Sequence, residues 1–286
     1  MNIIKFKCRV ITPMFMAGAD GKTPELRPSE FKGMMRFWWR AIRADDNIKK
    51  LSEEEAKIFG GTGEKEGKSK VMIKVCPQQI SFSSYRPLPH SQTKTFTFPC
   101  ICVNSTFEIF LRGEEEFINI FKNVLFLSTI LGGFGKRSRR GFGSVAIIEP
   151  EELNFENLQK EELLSKILDT LNQIDNHYEI RNEIRSSKIV NRKSGGNYPW
   201  IKEIEIGNKH DDWETLLKKI GNATHNHKNP SLGNSSPRMA SPIYVSVVKL
   251  KDGFYPIVTT LKSCFPQNYS RYDFRKQNDF KREVLS

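Results

Sequence analysis

The chain contains no apolar run approaching the ~20 residues that a bilayer-crossing helix requires, so membrane insertion is not expected. Its first residues, Met1 to Cys8, lack the unbroken apolar core and cleavage site of a signal peptide, which points to a cytoplasmic protein. Cysteine is sparse: Cys8, Cys76, Cys100, Cys102 and Cys264 form no CxxC pair and have no histidine at zinc-site spacing. Reduced thiols are expected, with neither metal nor other cofactor. Cys100 and Cys102, two residues apart in an apolar stretch, are expected to share one face of a strand as small hydrophobes. A GxxxxGK[ST] loop between strand and helix is missing, which excludes a Walker-type nucleotide site. No serine or cysteine stands in a nucleophile context, and no histidine precedes His90.

What the sequence does have is positive charge. Its 286 residues carry 45 Lys and Arg against 33 Asp and Glu, a formal charge of +12, which makes a polyanion the first partner to consider. At 38% hydrophobic, the chain is long enough for two domains, each with a core.

Residues 2–11 alternate apolar and basic, as a half-buried strand does, and 28–44 repeat apolar residues at helical spacing behind Pro28 and Glu30. Strands are expected at 71–76 and 98–111, an amphipathic helix at 114–131 closed by Gly132-Gly133, and a strand at 145–148. Strand, helix, strand, strand, helix, strand is the order of a ferredoxin-like domain, a topology shared by RNA-recognition modules. Beyond residue 150, a helical stretch to 178 and a polar linker over 181–198 precede a strand at 200–206 and a helix at 211–225. Strands at 243–250 and 254–261, joined by Lys251-Asp252-Gly253, and a charged helix from about residue 270 complete the chain. The expected architecture is therefore α+β, with two ferredoxin-like (RRM-like) βαββαβ domains over 1–150 and 151–286. The second lacks a final strand, so it is either incomplete or completed by a strand from elsewhere.

Two segments concentrate the chemistry. Gly132-Gly133-Phe134-Gly135-Lys136-Arg137-Ser138-Arg139-Arg140-Gly141-Phe142-Gly143 brackets four cations with glycines between a helix and a strand. Positive-φ backbone, exposed amides and cations suit phosphates; the plainer reading is a solvated turn that closes the helix. In the 28–44 helix, Lys32, Arg36, Arg40 and Arg43 recur at four, four and three residues and form a basic stripe beside the apolar one. Trp38 falls with the core set, whereas Trp39 borders the stripe and suits either burial or stacking on an unpaired base.

Leu26 to Gly33, the Arg36-Phe37-Trp38-Trp39-Arg40-Ala41 run and the spaced pairs Gly133-x-Gly135 and Gly141-x-Gly143 resemble the RAMP superfamily of CRISPR-associated proteins. Within it, the Arg-Phe-Trp-Trp-Arg helix is similar to the subunit-one family of Cmr (type III-B) effector complexes. The resemblance covers about residues 1–150. It implies two ferredoxin-like domains, no catalytic activity, other Cmr subunits as partners, and a place at one end of the complex near the 3′ end of the guide RNA. It also implies contact of single-stranded guide or target RNA with Arg36, Trp39, Arg40, Lys136, Arg137, Arg139 and Arg140, to which the stripe reading adds Lys32.

Other members of that superfamily cleave RNA with a histidine or with an aspartate after the first strand. Candidates here are His90, in a loop with Tyr85, Arg86 and Lys94, and Asp20, which could hold a divalent ion with Glu25. A surface histidine and an Asp-Gly turn are the plainer readings. His225 and His227 have metal-like spacing but no clear third ligand. A basic surface that docks an acidic protein is a further alternative.

Overall fold

Alternation along β1 (Asn2–Val10) buries Phe6, Cys8 and Val10 and turns Ile3, Lys5 and Lys7 outward. The computed structural model describes residues 1–64, 66–183, 187–265 and 272–286. β1 pairs antiparallel with β5 (Thr106–Gly113) on one side and β6 (Val145–Glu149) on the other, and β2 (Val71–Gln79) pairs antiparallel with β5. The sheet order is β2-β5-β1-β6, so each crossover helix spans one intervening strand. The first crossover is α1 (Pro28–Arg43), with Pro28 and Glu30 in its first turn and Phe31, Met35, Trp38, Trp39, Ala41 and Ile42 buried. It ends at Ala44, which takes a left-handed conformation.

A helix absent from the sequence reading follows: α2 (Ile48–Phe59), capped by the Asn47 side chain, which accepts from the Lys50 amide. The apolar stretch 98–111 divides into two strands, because residues 102–105 turn the chain. β4 (Phe98–Ile101) pairs with β3 (Phe82–Tyr85) in a separate hairpin, and only the remainder joins the main sheet as β5. Cys100 is buried on β4 while Cys102 lies beyond its end, so the expected shared strand face does not form.

α3 (Glu115–Leu131) is buried on nearly every side from Val124 onward, unlike the amphipathic helix expected. Its position explains this: α3 touches β5 and β6 of the first sheet and two strands of a second sheet, Ile243–Leu250 and Gly253–Leu261, and a helix enclosed all round is apolar all round. Its last carbonyls, which have no intrahelical donors, accept from the second sheet. Ser246 Oγ donates to the Ile130 carbonyl and Thr259 Oγ1 to that of Leu131.

The second sheet contains β7 (Tyr178–Asn182), β8 (Ser187–Asn191), β9 (Ile201–Ile206), β12 (Ile243–Leu250) and β13 (Gly253–Leu261), in the order β12-β13-β9-β8-β7. α4 (Lys160–Ile174) leads into it through a Gln159/Glu162 capping box. α5 (Trp213–Asn226) crosses from β9 to β12 by way of a two-residue hairpin, β10 (Asn234–Ser235) and β11 (Arg238–Met239). β12 pairs antiparallel with β13, and β13 with β9. The place beside β9 is taken by β8, which comes before it in the chain. Part of the stretch read as a linker is thus sheet: Ile189 and Val190 are buried there, in a strand too short and too flanked by polar residues to show periodicity. Residue 270, where the last helix was expected to start, lies outside the described residues, and α6 is described as Phe274–Leu285. Among the described residues, no helix is long and apolar enough to cross a membrane.

Candidate nucleic-acid interface

The glycine-rich segment runs along the free edge of β12. Gly141 N donates to the Val245 carbonyl at 2.7 Å, and the Val247 amide donates to Ser144 Oγ at 3.0 Å. Its other flank lies on the first half, where Lys136 N donates to Phe15 O and Gly143 N to Pro13 O. These seams account for the glycines. Gly143 has φ +67°, and a Cβ there would overlap the Phe134 carbonyl; one on Gly141, at φ +81°, would meet Leu217 Cδ2 at 2.8 Å. The backbone freedom serves close packing within the protein, not the approach of a ligand expected from sequence.

The loop's cations divide. Arg140 is a structural group: Nη1 donates to the carbonyls of Arg139 and Ile243, and Nη2 donates to Leu232 O and Ser241 Oγ. Its guanidinium also lies 5.1 Å from the Phe280 ring centroid. Burial, with Arg137 and Arg139 nearby, lowers its pKa to about 9, which leaves it a cation at neutral pH. With its donors engaged inside the fold, Arg140 is withdrawn from the expected RNA-contacting set. Lys136 is exposed, with Nζ donating to Gly21 O at 3.0 Å. Arg137 lies over Phe142 at 5.8 Å, and its pKa is lowered by burial. Arg139 lies over Tyr244 at 4.6 Å. Among the described residues, no ion pair involves Lys136, Arg137 or Arg139. Aromatic rings fix these two guanidiniums in place without neutralising them.

The helical stripe differs. Arg36 Nε and Arg40 Nη1 both donate to Glu55 Oε1, at 2.6 and 2.5 Å, and Arg43 pairs with Glu54 and Asp175. Glu55 is buried, so α2 clamps the stripe from the side. The acidic run Glu53-Glu54-Glu55 was the sequence signal for this neutralisation, and it went unread. Lys32, whose pKa is lowered by burial and by Arg36, has no ion pair among the described residues. Arg40 still borders a cleft of about 470 Å³ together with Phe37, Tyr198 and Pro199. Trp39 is 3% exposed, edge-on to Phe59 with Arg43 over its ring, so it has no open face for a base and the stacking reading gives way to core packing.

Asp20 accepts from the Lys22 and Thr23 amides and from the Thr23 hydroxyl, which together lower its pKa to about 2. This is turn chemistry. His90 packs on Gly221 of α5, its ring centroid 6.1 Å from that of His225; burial, then His225, then Arg137 lower its pKa. His227 instead bonds Glu283 of α6 at 2.7 Å, so the two members of the HxH pair serve different contacts.

The sequence pattern of the RAMP superfamily matches residues 7–146. The chain belongs to this superfamily. It is 30% identical over 177 residues to the CRISPR system Cmr subunit Cmr1-2 of Pyrococcus furiosus, a match covering 50% of this chain and 93% of that protein. Subunit Cmr1-1 of the same organism is 28% identical over 218 residues, covering 68% of this chain and 63% of that protein. The crystal structure of apo Cmr1 from Pyrococcus furiosus aligns with a TM-score of 0.65 at 21% identity, over 95% of this chain and 92% of that one. A chain of the type III-B Cmr-beta assembly bound to cognate target RNA aligns with a TM-score of 0.62 at 12% identity, over 99% of each. The last two likenesses concern the fold.

Proposed function

We propose that this chain is a non-catalytic, RNA-binding structural subunit of a type III-B CRISPR (Cmr) ribonucleoprotein in RNA-guided antiviral defence. It contacts guide or target RNA near the guide 3′ end and is held among other Cmr subunits. In this reading the chain forms two ferredoxin-like units, 1–150 and 151–286, the second completed by β8. The observation that carries it is the trio Lys136, Arg137 and Arg139, presented on the seam between the two sheets with no carboxylate partner among the described residues. Uncompensated cations on a rigid backbone suit phosphates, and sequence-independent phosphate contact is what a subunit serving many guides needs. The relatedness to Cmr subunits supplies the assembly.

The test is filter binding of single-stranded RNA and matched duplex across a salt series, with Lys136→Ala/Arg137→Ala beside the unchanged protein. The expected result is binding weakened by about tenfold or more at low salt, with the slope of log K against log salt reduced by about 1.4, two contacts at ~0.7 each. Equal binding by the double variant would remove the loop from the interface. Electrophoresis of the same samples is expected to show intact RNA.

A further inference from the structure

Next to the loop, on the side of the second sheet, lies a cleft of about 320 Å³. Its walls come from four separate segments: Arg139 from the glycine loop, Pro199 ahead of β9, Arg238 to Pro242 ahead of β12, and Leu261, Lys262, Cys264 and Phe265 at and after the end of β13. None of its lining residues is acidic, while Arg139, Arg238 and Lys262 are cations. No ion pair among the described residues involves any of the three. A cavity of this volume sits at the small end of ligand-binding clefts, ~300–1,000 Å³, which suits one nucleotide and not a larger group.

The chemistry of the walls is that of a nucleotide site. Arg139 is held over Tyr244, which is itself locked against Trp38 at 4.9 Å and Phe37 at 5.5 Å, so the guanidinium is placed by the core. Its Nε is buried and has no hydrogen-bond partner among the described residues. Lys262 lies 6.0 Å from the Trp200 ring, and its own amide is fixed by the Trp200 carbonyl at 2.8 Å. Phe265 is half-exposed at the rim, stacked at 4.3 Å on Tyr272. Cations for a phosphate and an aromatic face for a base are the two elements of single-strand recognition.

We infer that this cleft receives one unstacked nucleotide of a single-stranded RNA, its phosphate held by Arg139, Arg238 and Lys262 and its base against Phe265. Arg139 belongs both to the loop and to the cleft, so the strand that follows Lys136 and Arg137 continues into it. The ligand is therefore a unit of a polymer, not a free nucleotide. The inference rests on the RNA-binding reading above and adds to it a place where one base leaves the stack. Arg238 and Lys262 carry no motif in the sequence; only the fold brings them to Arg139.

The test uses the full chain with a short single-stranded RNA. Arg238→Ala/Lys262→Ala is expected to weaken binding about tenfold and to lower the salt slope by about 1.4. Phe265→Ala is expected to weaken it about fivefold with the slope unchanged, because stacking releases no counterions. In the unaltered protein, RNA bearing 4-thiouridine is expected to photocrosslink within residues 238–265, a readout independent of how any variant folds. Uridine or adenosine monophosphate at millimolar concentration is expected not to displace the RNA. If the cleft variants bind normally and no crosslink maps there, while Lys136→Ala/Arg137→Ala weakens binding, the cleft inference is overturned and the RNA-binding reading stands. If the unaltered protein binds no RNA, both fall. Displacement by a mononucleotide, lost in the cleft variants, would make the ligand a free nucleotide and overturn the inference.

Discussion

The α1 stripe and the glycine loop each carry four cations, and in the sequence they look equivalent. In the fold they are opposites. The stripe faces α2, where buried Glu55 binds Arg36 and Arg40 and Glu54 binds Arg43. The loop faces carbonyls and aromatic rings: Arg140 is tied to the second sheet, while Arg137 and Arg139 are placed over Phe142 and Tyr244 with no ion-pair partner among the described residues. A cation on an aromatic face keeps its field, whereas one beside a carboxylate largely loses it. Basic spacing therefore identifies candidates, and the identity of the neighbour decides which of them is available to a phosphate.

The largest expected effect comes from Arg140, where the loop is structural. Arg140→Ala leaves the carbonyls of Leu232 and Ile243 without their guanidinium donor and loosens the loop's hold on the second half, at a cost of about 3 kcal/mol. Thermal melting should fall by about 6 °C or more. Arg140→Lys should recover little, since an ammonium cannot serve the same fork of acceptors. A variant that melted normally yet lost RNA binding would return Arg140 to the interface.

Glu55→Gln tests the other side. Loss of the shared carboxylate should cost about 2 kcal/mol, because two arginines lose their counter-charge in a partly buried site. The same change should strengthen RNA binding about threefold at low salt and not at high salt, since it frees two cations for a polyanion. If affinity stays the same while stability falls, the stripe lies off the RNA path altogether.

Much of the architecture was legible because the determining signals are local. The period of two in β1, the proline and acidic start of α1 and the Gly132-Gly133 stop after α3 each act within a few residues. The loop, too, stood out as a candidate, by its density of glycine and arginine. What could not be read depends on tertiary neighbours: β8 is short and polar-flanked, and Trp39 falls at a helical position whose exposure is set by α2 and α3. The different duties of Arg139 and Arg140, adjacent in sequence, follow only from what each side chain meets across the seam. Cys102 was misplaced for a simpler reason, a turn that interrupts an apolar run.

The smallest effect concerns the imidazoles near the loop. His90 is neutral in the fold because burial, His225 and Arg137 all disfavour its cation, and burial also lowers the pKa of His177 and His210. Each therefore titrates below the unfolded value of ~6.5, and the unfolded chain takes up protons first as the pH falls. Stability is then highest above that value, declines on acidification through it, and is fully reduced below the folded pKa values. Binding should respond with the opposite sign: a proton on His90 adds positive charge beside Arg137, so RNA affinity should rise modestly as the pH falls below the ordinary histidine value of ~6.5. In His90→Gln that rise should disappear, while the residual loss of stability from His177 and His210 persists. RNA fragments that accumulate with time and vanish in His90→Gln would instead assign acid-base catalysis to the His90 and His225 pair. Intact RNA with a pH-dependent affinity fits an imidazole that only tunes the charge of the loop.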